Sequence, residues 1–290
     1  MDKTIPIKKF VPSKIKDLAK KLLDIVDRRI IPASKPFVLE NKFGVRFIYY
    51  PWEKNAIRVL LERNDLKKEI LIAKKLIKSG NIVFDVGSNI GILSVLYSKF
   101  TGYSGKVYSL EPVNSTFERL KENLALNRCE NVIPLQIALS NATGSAKMRV
   151  FDDSASGINS LGEPKYPEYK TNYELVKTDI LDNFCDQLKI EHIDFLKIDV
   201  EGFEKNVLEG SDVLLKKNLI KFIQFEISDI PLKGAGRTPE EILYLLEKYN
   251  YSVFSFNQKT NKFVGPISIL RIGKGKYDNF YASQQDLSKI

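Results

Sequence analysis

The chain has 290 residues, 45 Lys or Arg against 36 Asp or Glu, and a formal net charge of +9. Two cysteines, Cys129 and Cys185, suggest neither a disulfide framework nor a zinc site, and no apolar run reaches the length of a membrane span. An apolar fraction of 43% is ordinary for a soluble protein and supplies a sizeable core.

The excess charge is uneven. Residues 1–30 hold nine Lys or Arg and four Asp, a net of +5. Nucleic acid, anionic lipid or an anionic substrate fits that pattern, and so does a plain solvated helix face. The charged start does not read as a signal peptide, and the few cysteines fit reducing cytoplasm.

In chain order, SKIKDLAKKLLDIVDRRII (13–31) puts Ile15, Leu18, Leu22 and Ile30 on one helical stripe, with basic residues elsewhere. Such a helix can dock on its own domain, on a partner, or peripherally on the inner face of a membrane. Residues 36–50 predict two short strands joined by a turn at 41–44. Residues 65–78 predict a helix that turns Ile70, Ala73, Leu76 and Ile77 inward.

From residue 81 apolar strands alternate with helices. The strands are NIVFDV, GKVYSLE, VIPLQIAL, IDFLKID, IKFIQFEI and YSVFSF, with a last strand near 264–271. Helices are expected near 90–100, 114–127, 202–217 and 238–249. This pattern predicts a mostly parallel sheet covered on both faces. Residues 140–179 interrupt it, with strands near AKMRVF and YELVKTD in a loop-rich insertion.

In open α/β sheets ligands bind beyond the carboxyl ends of the strands. FDVGSNIG places Asp85, Gly87, Ser88, Asn89 and Gly91 at the first such end. Gly87 admits close approach of a ligand to the backbone, and Gly91 starts a helix tightly. The free N–H groups of that helix suit a carboxylate or phosphate, and Asp85 suits an ammonium. The G-x-x-x-G spacing departs from the dinucleotide fingerprint, which makes a dehydrogenase a poor reading. Glu111, in SLEP with Pro112, lies 26 residues after Asp85 and can accept both hydroxyls of a ribose. An amino-acid head beside a nucleoside describes S-adenosylmethionine. Gln136, Ile137 and Ala138 can frame the adenine. Asp199 and Glu201 in KIDVEG, then Glu226 in FEIS, place further acids at strand ends.

With FDVGSNIG, SLEP, ALSNATG, GINSL, VKTDILD, FLKIDVEGFEKNVLEG and FEIS together, residues 80–232 resemble the FkbM family of S-adenosylmethionine-dependent methyltransferases. Ser88 stands where members often carry alanine. The resemblance implies a Rossmann-like class I fold, with seven strands of which one is antiparallel. It also implies methyl transfer to a hydroxyl, commonly on a sugar, glycan or secondary metabolite. The expected division is an N-terminal extension over 1–64 and a methyltransferase domain over 65–290, with its insertion at about 140–179.

Asp199 and Glu201 are the candidate general bases, and Asp199 also belongs to the expected cofactor set. Asp199 with Glu226 can instead hold Mg²⁺ or Mn²⁺. The insertion is expected to roof the crevice with Tyr166, Tyr169, Tyr173, Asn159 and Ser160. His192 is expected at the far end of its strand, in a structural role. The competing classes are an RNA methyltransferase, suggested by the charge, and a non-catalytic binding module on the same fold. No amine-directed N-P-P-[YF]-like motif follows KID, and nucleic acid is not the expected partner.

Overall fold

The computed structural model describes residues 36–40, 43–50, 64–151, 157–163, 169–267 and 278–290. The basic helix expected at 13–31, Tyr166, and the second half of the strand expected at 264–271 lie outside the described residues.

The order begins with a hairpin, β1 (Phe37–Glu40) and β2 (Arg46–Tyr49), then helix α1 (Asn64–Leu76). Strand β3 (Ile82–Val86) leads into α2 (Ile92–Thr101), β4 (Lys106–Leu110) into α3 (Asn114–Leu126), and β5 (Val132–Leu135) follows. Next come β6 (Ala138–Leu139), β7 (Gly144–Phe151), β8 (Thr171–Asp179) and α4 (Leu181–Gln187). Then β9 (Ile193–Ile198) precedes α5 (Glu204–Glu209) and α6 (Asp212–Lys216). Strand β10 (Ile220–Ile227) precedes α7 (Asp229–Gly234) and α8 (Pro239–Lys248). Strands β11 (Ser252–Asn257), β12 (Lys262–Val264) and β13 (Asp278–Ser283) end the series.

The large sheet has the order β12-β11-β13-β10-β9-β3-β4-β5. Strands β5, β4, β3, β9 and β10 are parallel, and β13 runs antiparallel between β10 and β11. Without β12 the sheet has the expected seven strands with one antiparallel, although the seventh is not the one expected near 264–271, and β12 adds a short eighth at the edge. The chain winds outward from β3 in both directions, so the switch point lies at β3 and β9.

Continuous apolar strands require cover on both faces, and helices supply it. Ile70, Ile72 and Leu76 of α1, Val95 and Tyr97 of α2 and Leu120 of α3 pack with Val83, Val107 and Phe195. On the other face, Phe184, Val207, Leu215, Ile242 and Leu246 pack with Phe84, Leu110, Leu196 and Phe225. The hairpin is tied to this body. The Ile48 amide donates to Asn123 Oδ1 at 2.9 Å, and Phe47 and Tyr49 are buried.

Three differences from the sequence expectation have local causes. The helix expected over 202–217 is two helices, broken at Gly210, whose Cβ position lies 2.1 Å from the Ser140 carbonyl oxygen. That close approach fixes the chain where a continuous helix would have run. The two strands of the insertion, β7 and β8, join β6 from the end of the expected strand VIPLQIAL in a separate three-stranded sheet, β6-β8-β7. The strand that completes the main sheet is β13 at 278–283, reached only after β12. Among the described residues no helix is long and apolar enough to cross a membrane.

Phe195 is fully buried and meets Tyr97 edge-on at 5.7 Å between ring centres. Phe195→Ala is expected to lower stability by about 3–5 kcal/mol. The check is a lower urea midpoint with an unchanged slope.

Candidate active site

Strand register builds the site. Val86 on β3 pairs with Leu110 on β4 and with Ile198 on β9. The next residue of each strand is therefore level with the others: Gly87 in the middle, Glu111 on one side, Asp199 on the other. At strand spacings of ~4.8 Å, the two acids stand roughly 10 Å apart across the glycine turn.

The turn is held by backbone bonds that continue past the strand ends. The amides of Gly87 and Ser88 both donate to the Leu110 carbonyl at 3.0 Å, and the Asp199 amide donates to the Val86 carbonyl at 3.0 Å. Gly87 has φ +77°, and a Cβ there would lie 1.8 Å from the Asp199 carbonyl oxygen. The missing Cβ that the sequence reading assigns to ligand approach is thus required by the β9 backbone itself. Gly91, with φ +83°, clears Leu120 of α3 in the same way.

A crevice runs across these strand ends. Gly87, Asn89, Glu111 and Pro112 line one part, with Ile137, Ala138 and Leu139 beside them, and Asp199, Val200 and Glu201 line the other. Gly157, Asn159 and Leu161 of the insertion and Met148 of β7 close over it. Ser160 is fully buried, and its hydroxyl donates to the Glu201 carbonyl at 2.7 Å, which fastens the roof to the turn after β9.

Glu111 is buried and accepts hydrogen bonds from the amides of Asn89 at 3.0 Å and Val113 at 3.1 Å. Burial pushes its carboxyl up to about 7, against the pull of those two amides. Asp199, Glu201 and Glu226 each bring a carboxylate oxygen within 4.8 Å of the others. Burial, then the neighbouring Glu226 and Asp199, pushes Glu201 well above the usual carboxylate range. Glu201 has φ +52°, the left-handed region, in the turn that Glu204 braces by accepting from the amides of Val200 and Gly202 at 3.2 Å.

Several expected site residues are placed differently. Asp85 is fully buried behind the crevice. Its Oδ2 accepts from the Ser94 hydroxyl at 2.6 Å, and its Oδ1 faces Lys197 Nζ at 3.7 Å without a hydrogen-bond partner. Gln136 is exposed and reaches Asn114 Oδ1 at 3.3 Å, away from the crevice that Ile137 and Ala138 line. Ser88 is buried, beneath rather than along the crevice wall. Tyr173 is tied to Glu163 and Lys147 on the outside of the small sheet, and Tyr169 packs on Phe151. His192 precedes β9 at its opposite end and faces Asp194 at 3.4 Å.

Sequence reasoning did not single out Lys197. It is 2% exposed, bonded to Asp199 Oδ2 at 2.9 Å and facing Asp85. Burial alone would lower its pKa, but Asp199 and Asp85 more than offset that and raise it. The signal was a lysine inside the apolar run FLKI, where a charge is affordable only with partners.

A family model described as Methyltransferase FkbM domain matches residues 85–253. The hexuronic acid methyltransferase AglP of Haloferax volcanii is 27% identical over 200 residues, 69% of this chain and 70% of its own length. Methyltransferase sdnD of Sordaria araneosa is 31% identical over 160 residues, 46% of this chain and 61% of its own. The 2-O-methyltransferase NoeI of Sinorhizobium fredii is 24% identical over 197 residues, 64% of this chain and 79% of its own.

Gly87→Ala combines a left-handed backbone with a collision against β9. It is expected to cost about 2–4 kcal/mol and to disorder the crevice floor. Thermal unfolding with and without S-adenosylhomocysteine measures both effects.

Proposed function

The chain belongs to the FkbM methyltransferase family and is an S-adenosylmethionine-dependent methyltransferase, and we propose that its acceptor is a hydroxyl on a sugar, glycan or secondary metabolite. The observation that carries this reading is one crevice lined by the glycine turn, by Glu111 at one side, and by Asp199 and Glu201 at the other. The relatives support the acceptor class, since one is named for a hexuronic acid and another as a 2-O-methyltransferase.

In this reading Glu111 accepts the ribose hydroxyls, and Ile137 and Ala138 flank the adenine. The turn from Gly87 to Gly91, with Ser88 and Asn89, carries the amino-acid end, and Pro112 packs beside the ribose. The acceptor oxygen attacks the sulfonium methyl in line. The new O–CH₃ bond forms as the S–CH₃ bond breaks, and S-adenosylhomocysteine leaves. The hydroxyl proton passes to a carboxylate, with Asp199 and Glu201 as the candidates. Alignment of the reactants is worth about 7–11 kcal/mol, and a placed base about 10²–10⁴-fold.

A divalent cation is a second reading, favoured by the three clustered carboxylates. Asp199, Glu226 and Glu201 would be its hard oxygen ligands, and it would acidify the hydroxyl. The Lys197 ammonium on Asp199 weighs against it, because a cation already meets that carboxylate. Cytoplasmic placement, with residues 13–31 resting on a membrane surface, belongs to the same proposal and rests on their basic amphipathic pattern.

Incubating the protein with methyl-labelled S-adenosylmethionine and host-cell extract tests the acceptor. Label is expected in saccharide or glycolipid, and label in RNA would replace the acceptor class. Glu201→Gln is expected to cut the rate by about 10²-fold or more, and an unchanged rate would clear Glu201 of the chemistry. Activity is expected to survive EDTA; loss that Mg²⁺ or Mn²⁺ restores would establish the second reading.

Cofactor affinity should depend on pH through Glu111. Ribose hydroxyls donate to the ionised carboxylate, whereas the free protein holds a proton there below about 7. Binding therefore releases that proton. Affinity is expected to rise with pH by up to about tenfold per unit below 7 and to level off above it. Titration calorimetry of S-adenosylhomocysteine at pH 6 and pH 8 checks the slope, which Glu111→Gln should flatten.

A further inference from the structure

We propose that Asn159 selects the methyl acceptor: its side-chain amide donates a hydrogen bond to an oxygen beside the hydroxyl being methylated. The acceptor class is then a sugar-like polyol with neighbouring oxygens, not an isolated alcohol. This deepens the acceptor reading above and rests on it.

The roof segment that carries Asn159 is fixed at both ends. The Ser160 amide donates to the Arg149 carbonyl at 3.1 Å, and the Arg149 amide donates to the Ser160 carbonyl at 2.8 Å. The Ser160 hydroxyl holds the Glu201 carbonyl. Gly157 lies over the glycine turn, where a Cβ would stand 3.7 Å from Asn89 Nδ2. Asn159 falls between these two anchors and lines the crevice.

The direction of its amide is determined. The Phe151 amide donates to Asn159 Oδ1 at 2.9 Å. A backbone N–H can only donate, so the oxygen lies on that side and the NH₂ group faces away from it. Asn159 is 8% exposed, and its Nδ2 is buried with no hydrogen-bond partner among the described residues. Buried donors are normally paired, and leaving one unpaired is costly. A ligand in the crevice is the partner this donor lacks.

Chemistry selects which ligand atom. In the cofactor reading the ribose has Glu111 and the amino-acid end has the glycine turn, whereas the acceptor has only carboxylates to take its proton. Met148 and Leu161, beside Asn159 in the crevice, are apolar and supply no donor. Ser160 ties Asn159 to the turn that bears Glu201, a candidate base. The attacking oxygen is a poor partner for the amide, because a donor there holds back the lone pair that must reach the methyl carbon. An adjacent oxygen takes the bond without that penalty. A carboxylate and an amide on one acceptor therefore match two neighbouring oxygens, one giving a proton and one receiving a hydrogen bond.

The test uses the full chain, methyl-labelled S-adenosylmethionine and the saccharide fraction of host-cell extract, titrated to a plateau rate. Asn159→Asp keeps the side-chain shape and an oxygen for the Phe151 amide but loses the donor; assay at pH 8 keeps the new carboxyl ionised. Asn159→Ala loses both. Each variant is expected to need about three- to tenfold more extract for half-maximal transfer, the scale of one hydrogen bond. The plateau rate should stay within about twofold, as for a contact made equally in the ground and transition states. Calorimetry should find the affinity of Asn159→Asp for S-adenosylhomocysteine unchanged, which a folding defect would not leave intact.

An unchanged half-saturation in Asn159→Asp would overturn the proposal. A lower plateau at unchanged half-saturation would put the amide on the attacking oxygen and overturn it too. Weaker S-adenosylhomocysteine binding by the same factor would give Asn159 to the cofactor, again against it. These three results spare the acceptor class. No label in the saccharide fraction from unaltered protein that binds S-adenosylhomocysteine would overturn the acceptor reading, and this inference with it.

Discussion

A lysine ammonium with almost no access to water is stable only where carboxylates surround it, and Lys197 is met by two. Asp85 comes from β3 and Asp199 from the end of β9, so the ion cluster ties together the two strands at the switch point. Removing any one member would leave buried charge without its partner. The arrangement fixes which acid faces inward and which faces the crevice. That distinction is invisible if each carboxylate is read separately as a ligand contact.

The rest of the site follows from how closely the strands approach. Gly87 has no Cβ because the Asp199 carbonyl occupies that space, and Gly91 has none because Leu120 does. The turn is therefore set by β9 on one side and α3 on the other before any ligand arrives. Glu111 adds a third restraint, accepting from the Asn89 amide within the turn. The roof is restrained as well, through Ser160 on the Glu201 carbonyl and the Glu163 amide on the Gly234 carbonyl at 2.9 Å. A site restrained from several elements at once loses little entropy on binding, which is the physical basis of preorganised catalysis.

Much of this was legible in the sequence, for reasons that particular segments make clear. IVFDV, KVYSL, IDFLKI and IKFIQFEI are continuous apolar runs, and each leads toward an acid or glycine at a strand end. Burial on both faces leaves no other pattern open to them, so the parallel sheet and the level of the site could be read directly. DNFYAS was harder, because Asp278 and Asn279 hide the start of β13, whose place between β10 and β11 depends on long-range pairing. The break at Gly210 depends on a contact with Ser140, seventy residues away in sequence, which no local signal records. Asp85 shows the limit most clearly. Its position in the turn motif suggested a ligand contact, and nothing local shows that it also faces a lysine more than a hundred residues later. Strand order could be inferred, whereas the pairing of individual side chains across strands could not.

The central claim is that one cofactor molecule lies in this crevice, with its ribose on Glu111 and its amino-acid end on the turn from Gly87 to Gly91. The most direct measurement is a crystal structure of the full chain with S-adenosylhomocysteine bound. The account predicts ribose hydroxyls within hydrogen-bonding distance of Glu111, the adenine against Ile137 and Ala138, and the amino-acid end on the turn. A ligand bound in the reverse direction, or outside this crevice, would contradict it.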